Sequence, residues 1–324
     1  MESISDYQIV SWTTENGLPQ NSVNDIIQTD DGYIWLATYG GLVRFDGLTF
    51  KTFHIGNTRG LESNRLKTLL ESNSGGLWIG HENGGVSIFK DGLFVTPKAL
   101  DSLNNEFVED FCDDLEGNIW IGTGKGLFNF DNNKLTKFDN TNGLPNNDVV
   151  KLFQNPTGGV YATTGGHGYS NPALSFAHGN QIEVISKYPI SSYFNILDLN
   201  SRGELWLAYQ NRIVLYKSGI LERTIQYTHK DGSKVECFNI DRDRNFWLGT
   251  NKGLIMIPAN ELKGNGDVNA AVRTFDIPQL EKNIRRIHQD QEGNIWVGSD
   301  GGGLTMLRKR HVKRFYPPIN IGNQ

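Results

Sequence analysis

A Trp-centred segment recurs seven times at a spacing of about 43 residues. The chain also carries 37 glycines and an 11% aromatic share in 324 residues. These observations predict an all-β chain: a seven-bladed β-propeller of four-stranded antiparallel blades, with the ring closed by the N-terminal strand. Many glycines beside many aromatics point to short strands joined by tight turns.

The anchors are Trp35, Trp78, Trp120, Tyr161, Trp206, Trp247 and Trp296, spaced by 43, 42, 41, 45, 41 and 49 residues. Asp114–Thr123 and Asp290–Ser299 are near copies, and Tyr161 marks a degenerate fourth copy. Of seven tryptophans only Trp12 stands outside the series. In each copy, strand A is an apolar run such as Val23–Ile27. A turn follows, with Gly three residues before the anchor in every copy except the sixth, where Arg244 stands. Glycine suits the positive φ of such a turn. Strand B carries the anchor. Strand C opens on a Gly-Leu-like pair, as at Gly41-Leu42 and Gly303-Leu304, and strand D is a short run such as Leu48–Phe53. The anchors read as blade-to-blade packing rather than as a sugar-stacking series.

The seventh copy supplies A (284–290), B (295–299) and C (303–308), and two segments compete for its D place: 7–12 and 312–316. The first precedes Asn16-Gly17-Leu18-Pro19 just as the D strand 135–138 precedes Asn142-Gly143-Leu144-Pro145. It is the expected closure, since it removes the open edge. One domain spans 1–324, with about 311–324 leaving toward a possible further domain. Cys112 and Cys237 fall in strand A of copies three and six, on opposite sides of the channel. They should be free, mostly buried thiols, being too far apart for a disulfide.

Composition excludes several classes. A net charge of −5 speaks against a nucleic-acid surface, which needs clustered Lys and Arg. No apolar run approaches the roughly 20 residues of a membrane span. The start, Met1–Asp6, lacks the basic and apolar regions of a signal peptide, which suits a cytosolic chain or a mature segment with a replacement Met.

The pattern Asn-Gly-Leu-Pro-x-Asn-x-Val followed by Asp-x-x-Gly-x-Ile-Trp-[IL]-[GA]-Thr-x-x-Gly-Leu-x-x-[FY]-Asp resembles the two-component regulator propeller repeat. Asn16–Asp46 is the nearest copy, with Asp30 one place off the usual Asp slot. The resemblance covers essentially the whole chain and is weakest in copies four and five. It implies the extracytoplasmic sensor part of a membrane-bound signalling protein. The partner would be a histidine kinase, a hybrid kinase or a diguanylate cyclase, with oligosaccharides as typical ligands and signalling by dimer rearrangement. Members usually carry two propellers and an immunoglobulin-like domain; this chain shows one propeller. It looks like a sensor module or a stand-alone relative, periplasmic or extracellular-facing in its parent.

Catalytic motifs are absent: no Gly-x-Ser-x-Gly, Walker loop, His-Glu-x-x-His or Cys-x-x-Cys. The seven histidines show no ligand spacing, so neither metal nor cofactor is expected. Acidic residues near the A–B turns (Asp30-Asp31, Asp113-Asp114, Asp241–Asp243) allow calcium but read better as turn residues bonding their own backbone. Two enzyme readings stay open. Sialidase-like glycosidases use a carboxylate or Tyr at the channel mouth. Streptogramin B lyase, a propeller with a similar Trp run, works through a His and an acid. Here His167, His288, Glu109 and Asp110 are the candidates for such chemistry.

Positions that differ between copies are free to serve a ligand. The D–A and B–C loops share one face, and strand A lines the channel. Ten residues before the anchor the copies read Asp25, Thr68, Asp110, Lys151, Ile196, Cys237 and Arg286. The slot before reads Asn24, Lys67, Glu109, Val150, Asn195, Glu236 and Arg285. Period-two alternation predicts that one of these slots faces the channel. The ligand-binding candidates are Tyr39, His81, Glu82, Asp110, Lys125, Lys151, His167, Tyr209, Arg212, Lys252, Arg286 and Asp300. Copy four departs most, with a longer B–C loop over 164–172. The expected function is sensing of a small polar ligand, an oligosaccharide foremost. The alternatives are an enzyme at the channel mouth and a protein-interaction scaffold.

Overall fold

The computed structural model describes residues 6–165, 172–185, 195–199, 204–209, 212–228, 233–263, 266–268 and 271–310; the side chains of 195–199, Tyr209, Lys263 and Asp267 lie outside that description. Within it, seven antiparallel sheets follow one another around a ring, each with strand A innermost. Blade 1 is Val23–Gln28, Ile34–Thr38, Gly41–Phe45 and Phe50–Phe53. In blade 7, strands Asn283–Gln289, Ile295–Asp300 and Gly303–Lys309 are completed by Tyr7–Trp12. That strand runs antiparallel to the last one, from Tyr7 opposite Lys309 to Trp12 opposite Leu304. The N-terminal segment therefore closes the ring, and the rival 312–316 lies, with the exit segment 311–324, outside the described residues.

The Trp anchors are buried and each packs into the next blade. Trp296 joins the core of blade 1 with Ile26, Leu36 and Phe45, and Trp35 joins that of blade 2 with Leu69 and Ile79. Each indole commonly also meets an aromatic of its own strand D. Trp35 stacks on Phe53, Trp120 on Phe138 and Trp247 on Phe275. In blade 7 this partner is Trp12, stacked on Trp296 at 5.7 Å. The one tryptophan outside the anchor series thus fills the D-strand place of the last blade.

In blades 3, 6 and 7 the turn before the anchor is held by a carboxylate six residues upstream. Asp290 Oδ2 accepts from Trp296 Nε1 at 2.7 Å, and Asp290 Oδ1 accepts from the Asn294 backbone N–H at 2.7 Å. Asp114 and Asp241 repeat the arrangement with Trp120 and Trp247. In blade 1, Thr29 fills the slot: its Oγ1 accepts from Trp35 Nε1 at 3.1 Å, while Asp31 supports the threonine hydroxyl. Asp114, Asp241 and Asp290 therefore serve their own turns. Arg244 adopts φ 67°, the same left-handed conformation as the glycines at its place, such as Gly32 at 89°. At the entry to strand C, Gly41 has φ 124°, and a Cβ there would sit 2.3 Å from the Phe53 carbonyl oxygen.

The 49-residue spacing of copy six has a structural cause. Residues 258–272 are inserted between its strands Gly253–Ile257 and Arg273–Thr274. Part of the insertion, Gly266–Asp267, pairs in parallel with Ile220–Gln226 of blade 5, giving that sheet a fifth strand. Both cysteines are free; Cys112 is buried and Cys237 half-buried.

Asp290→Ala strips the buried Trp296 Nε1 and the Asn294 amide of their acceptor, and should cost about 2–4 kcal/mol in denaturant unfolding. A loss well under about 1 kcal/mol would remove the turn clamp from the account. Deleting residues 1–12 should abolish the single cooperative transition, because the Gly303–Lys309 edge is then bare. An unchanged melting curve would contradict closure by the N-terminal strand.

Candidate functional site

Strand A carries a β-bulge near its start in all seven blades. In blade 1 the register shifts between Val23 and Asp25, and in blade 7 between Ile284 and Arg286. The extra residue is Asn24, Lys67, Glu109, Val150, Glu236 or Arg285 in six blades; in blade 5 the shift falls later, between Ile196 and Asp198. A bulge breaks strict alternation. In those six blades both variable slots therefore line the channel where one was expected, around a central cavity of about 530 Å³.

The cavity wall is charged, and each of its cations is paired. Arg286 Nε lies 2.8 Å from Asp25 Oδ1 across the blade 7–blade 1 boundary, and the Asp25 charge holds that guanidinium above its ordinary range. Lys67 pairs with Glu109 at 3.5 Å and Lys151 with Asp110 at 3.8 Å. The aspartates also bind the backbone of the next blade: Asp25 accepts from Leu69 N at 2.8 Å and Asp110 from Leu152 N at 3.0 Å. Burial pushes the Glu236 carboxyl up, with Lys234 and Arg285 opposing. Burial also pushes the Cys237 thiol up to about 12, so it stays protonated.

The cavity opens where the D–A and B–C loops meet. The turn after strand B donates to the carbonyl just before strand A: Glu82 N to Arg65 O at 2.9 Å, and Asn251 N to Lys234 O at 3.0 Å. Above blades 7, 1 and 2 these loops assemble a polar cluster. Tyr39 Oη donates to Glu82 Oε1 at 2.9 Å, and Glu82 also pairs with Arg65. The Arg65 guanidinium lies 4.2 Å over the Tyr39 ring, and that of Arg285 lies at 6.0 Å. Arg285 pairs with Asp300 at 2.5 Å, and Ser22 Oγ donates to Asp300 Oδ1 at 2.6 Å. Burial would depress the Arg285 guanidinium, but the Asp300 hydrogen bond and surrounding anions outweigh it. Burial raises the Tyr39 phenol, and the bond from Ser22 lowers the Asp300 carboxyl.

Of the sequence candidates, Tyr39, Glu82 and Asp300 come together in this cluster, and Asp110, Lys151 and Arg286 line the cavity beneath it. Lys125 sits on the blade 3 turn, 3.2 Å from Glu106. Lys252 lies on the blade 6 turn and Arg212 is exposed at the start of a blade 5 strand. His167 and the Tyr209 side chain lie outside the described residues. His81 is a correction: it is 0% exposed and cannot touch a ligand. It ends strand B where blades 1, 3 and 6 place Thr38, Thr123 and Thr250, whose hydroxyls donate to the opening glycine of strand C. Ser22, Arg65 and Arg285 were not among the candidates. Arg285 was read only as a variable slot; Ser22 and Arg65 share the slot 13 residues before their anchors, directly ahead of strand A, which the anchor alignment could have reached but which was not compared between copies.

Among the described residues no histidine lines the cavity, and no group of three or more His, Cys, Asp or Glu is placed to hold a metal ion. None of their helices is long and apolar enough to cross a membrane.

Burial holds both His81 and His288 down at about 4. Both are neutral when folded and titrate near 6.5 when unfolded. Their stabilisation is therefore fully present above about pH 6.5 and is lost as pH falls toward 4. His81 alone should account for about 3 kcal/mol of that loss. His81→Thr should flatten the melting-temperature profile between pH 6.5 and 4; an unchanged profile would contradict the buried neutral imidazole.

Residues 17–40 and 278–301 match the two-component regulator propeller family. No curated protein matches the chain. Among solved structures, it superposes on the extracellular domain assigned to the hybrid two-component system BT3049 of B. thetaiotaomicron (TM-score 0.73, 22% identity), covering 93% of this chain and 41% of that one. The extracellular domain of BT4673, assigned to a one-component system of the same organism, gives 0.70 at 21% identity, with 93% and 40% covered. Streptogramin B lyase gives 0.69 at 14% identity, with 95% and 99% covered. The chain thus spans about two fifths of the two extracellular domains. It is a seven-bladed propeller, and the two segments that match the two-component regulator propeller family lie in its first and last blades.

Proposed function

We propose that this chain is the extracytoplasmic ligand-sensing propeller of a two-component-type signalling protein, and that it binds a small polar ligand, an oligosaccharide foremost, on its D–A/B–C face. The observation that carries the reading is the polar cavity and mouth, built from residues that differ between copies. Residues shared by the copies hold turns and blade boundaries, so variation on that frame is free to serve recognition. The family matched at residues 17–40 and 278–301 supports a sensor over a catalyst. Output through a kinase or cyclase, and transmission by dimer rearrangement, belong to the same proposal.

The second reading is a lyase or glycosidase. The likeness to streptogramin B lyase over nearly its full length favours it, as do the carboxylates Glu109, Asp110 and Glu236 in the cavity. A thermal-shift screen against oligosaccharides, with product analysis by mass spectrometry, separates the two. A sugar at 100 times its Kd should stabilise the fold by about 2.7 kcal/mol, a shift of a few degrees, and be recovered intact. Conversion of the sugar would make the chain an enzyme. A shift with no sugar would turn the reading toward a protein partner.

A further inference from the structure

Resting on that glycan-sensing reading, we propose that the ligand is an uncharged sugar, gripped through neighbouring hydroxyls by the two guanidinium–carboxylate pairs that flank Tyr39 at the mouth over blades 7, 1 and 2. The cations on the cavity wall, Lys67, Lys151, Arg285 and Arg286, each already hold a carboxylate within 4 Å, as does Arg65 at the mouth. A uronate or sulfate would have to displace one of those partners and leave a partly buried carboxylate without its cation, which costs more than a new pair returns. A hydroxyl asks for less. It donates to a carboxylate oxygen and accepts from a guanidinium N–H, and each pair presents both, side by side, without net charge.

The pairs are held in place before any ligand arrives. Ser22 fixes the second carboxylate and the Tyr39 hydroxyl fixes the first. The Tyr39 ring lies beside both guanidiniums, at 4.2 and 6.0 Å. Arg285 also belongs to the cavity wall, so a sugar seated at the mouth can continue down the channel. The site is off the propeller axis: it belongs to three consecutive blades, 7, 1 and 2.

The test titrates neutral galacto-, gluco- and manno-configured tetrasaccharides into the full chain by calorimetry, beside the matching hexuronate tetrasaccharides. A neutral sugar should bind, and its uronate counterpart should bind about tenfold or more weaker. Tyr39→Ala and Arg285→Lys should each weaken the neutral sugar about tenfold, with melting temperature as the check on folding. If Tyr39→Ala melts early, Tyr39→Phe keeps the ring, drops only the bond to Glu82, and should still weaken binding. A uronate that binds as tightly as its neutral partner overturns the charge argument and leaves the glycan reading standing. Neutral binding unchanged in these variants overturns the location. Absence of binding by both series brings down the glycan reading and this inference with it.

Discussion

The indole of each anchor tryptophan, packed into the following blade, is the contact on which the molecule depends, and in blades 1, 3, 6 and 7 the turn behind it also holds its Nε1. A four-stranded blade cannot bury both faces alone, so each sheet is stable only against its neighbours. The polar end of the indole needs a partner once buried. Asp114, Asp241 and Asp290 supply it and in the same stroke fix the turn that sets the register of strands A and B. The ring is then as secure as its last joint. That joint is noncovalent: Trp12 brought from the other end of the chain to stack on Trp296.

Ring geometry dictates where function can lie. The outer faces and far turns carry a second set of clasps between blades. Asp30 N donates to Glu71, Asn73 N to Asp113, Arg242 N to Gln289 and Gln291 N to Gln28. These clasps join blades 6, 7, 1, 2 and 3 in succession, so the mouth cluster over blades 7, 1 and 2 stands on clasped blades. A site on such a frame needs little reorganisation on binding. The strand A bulges add to this by turning two residues inward in six blades, giving the cavity a wall dense in charge yet balanced within itself.

Nearly all of the fold was legible because the repeat prints it seven times. The anchor spacing gave the blades, Asn142-Gly143-Leu144-Pro145 matched the N-terminal segment to a strand D, and the 49-residue interval held the insertion that reaches blade 5. The site was legible only in part. Period-two alternation assigned one slot to the channel, whereas the bulge, a backbone feature that no residue type at Asn24 or Arg285 announces, exposes both. His81 was misread because a loop position was assumed; aligned by anchor it shares the slot of Thr38, Thr123 and Thr250, which marks it as interior. Arg65 shares with Ser22 the slot 13 residues before the anchor, so its place was within reach of the alignment; that it reaches Glu82 is a side-chain contact only folding reveals.

The central claim is that recognition happens at the mouth formed by the D–A and B–C loops of blades 7, 1 and 2. Hydrogen–deuterium exchange of the chain with and without a neutral tetrasaccharide tests it most directly. The account predicts slowed exchange confined to segments around 20–25, 39–41, 65–68, 82–85, 283–286 and 300–303, with the far turns near Gly32, Asn132 and Gly293 unaltered. Protection centred on those far turns, or on the outer D strands, would contradict it.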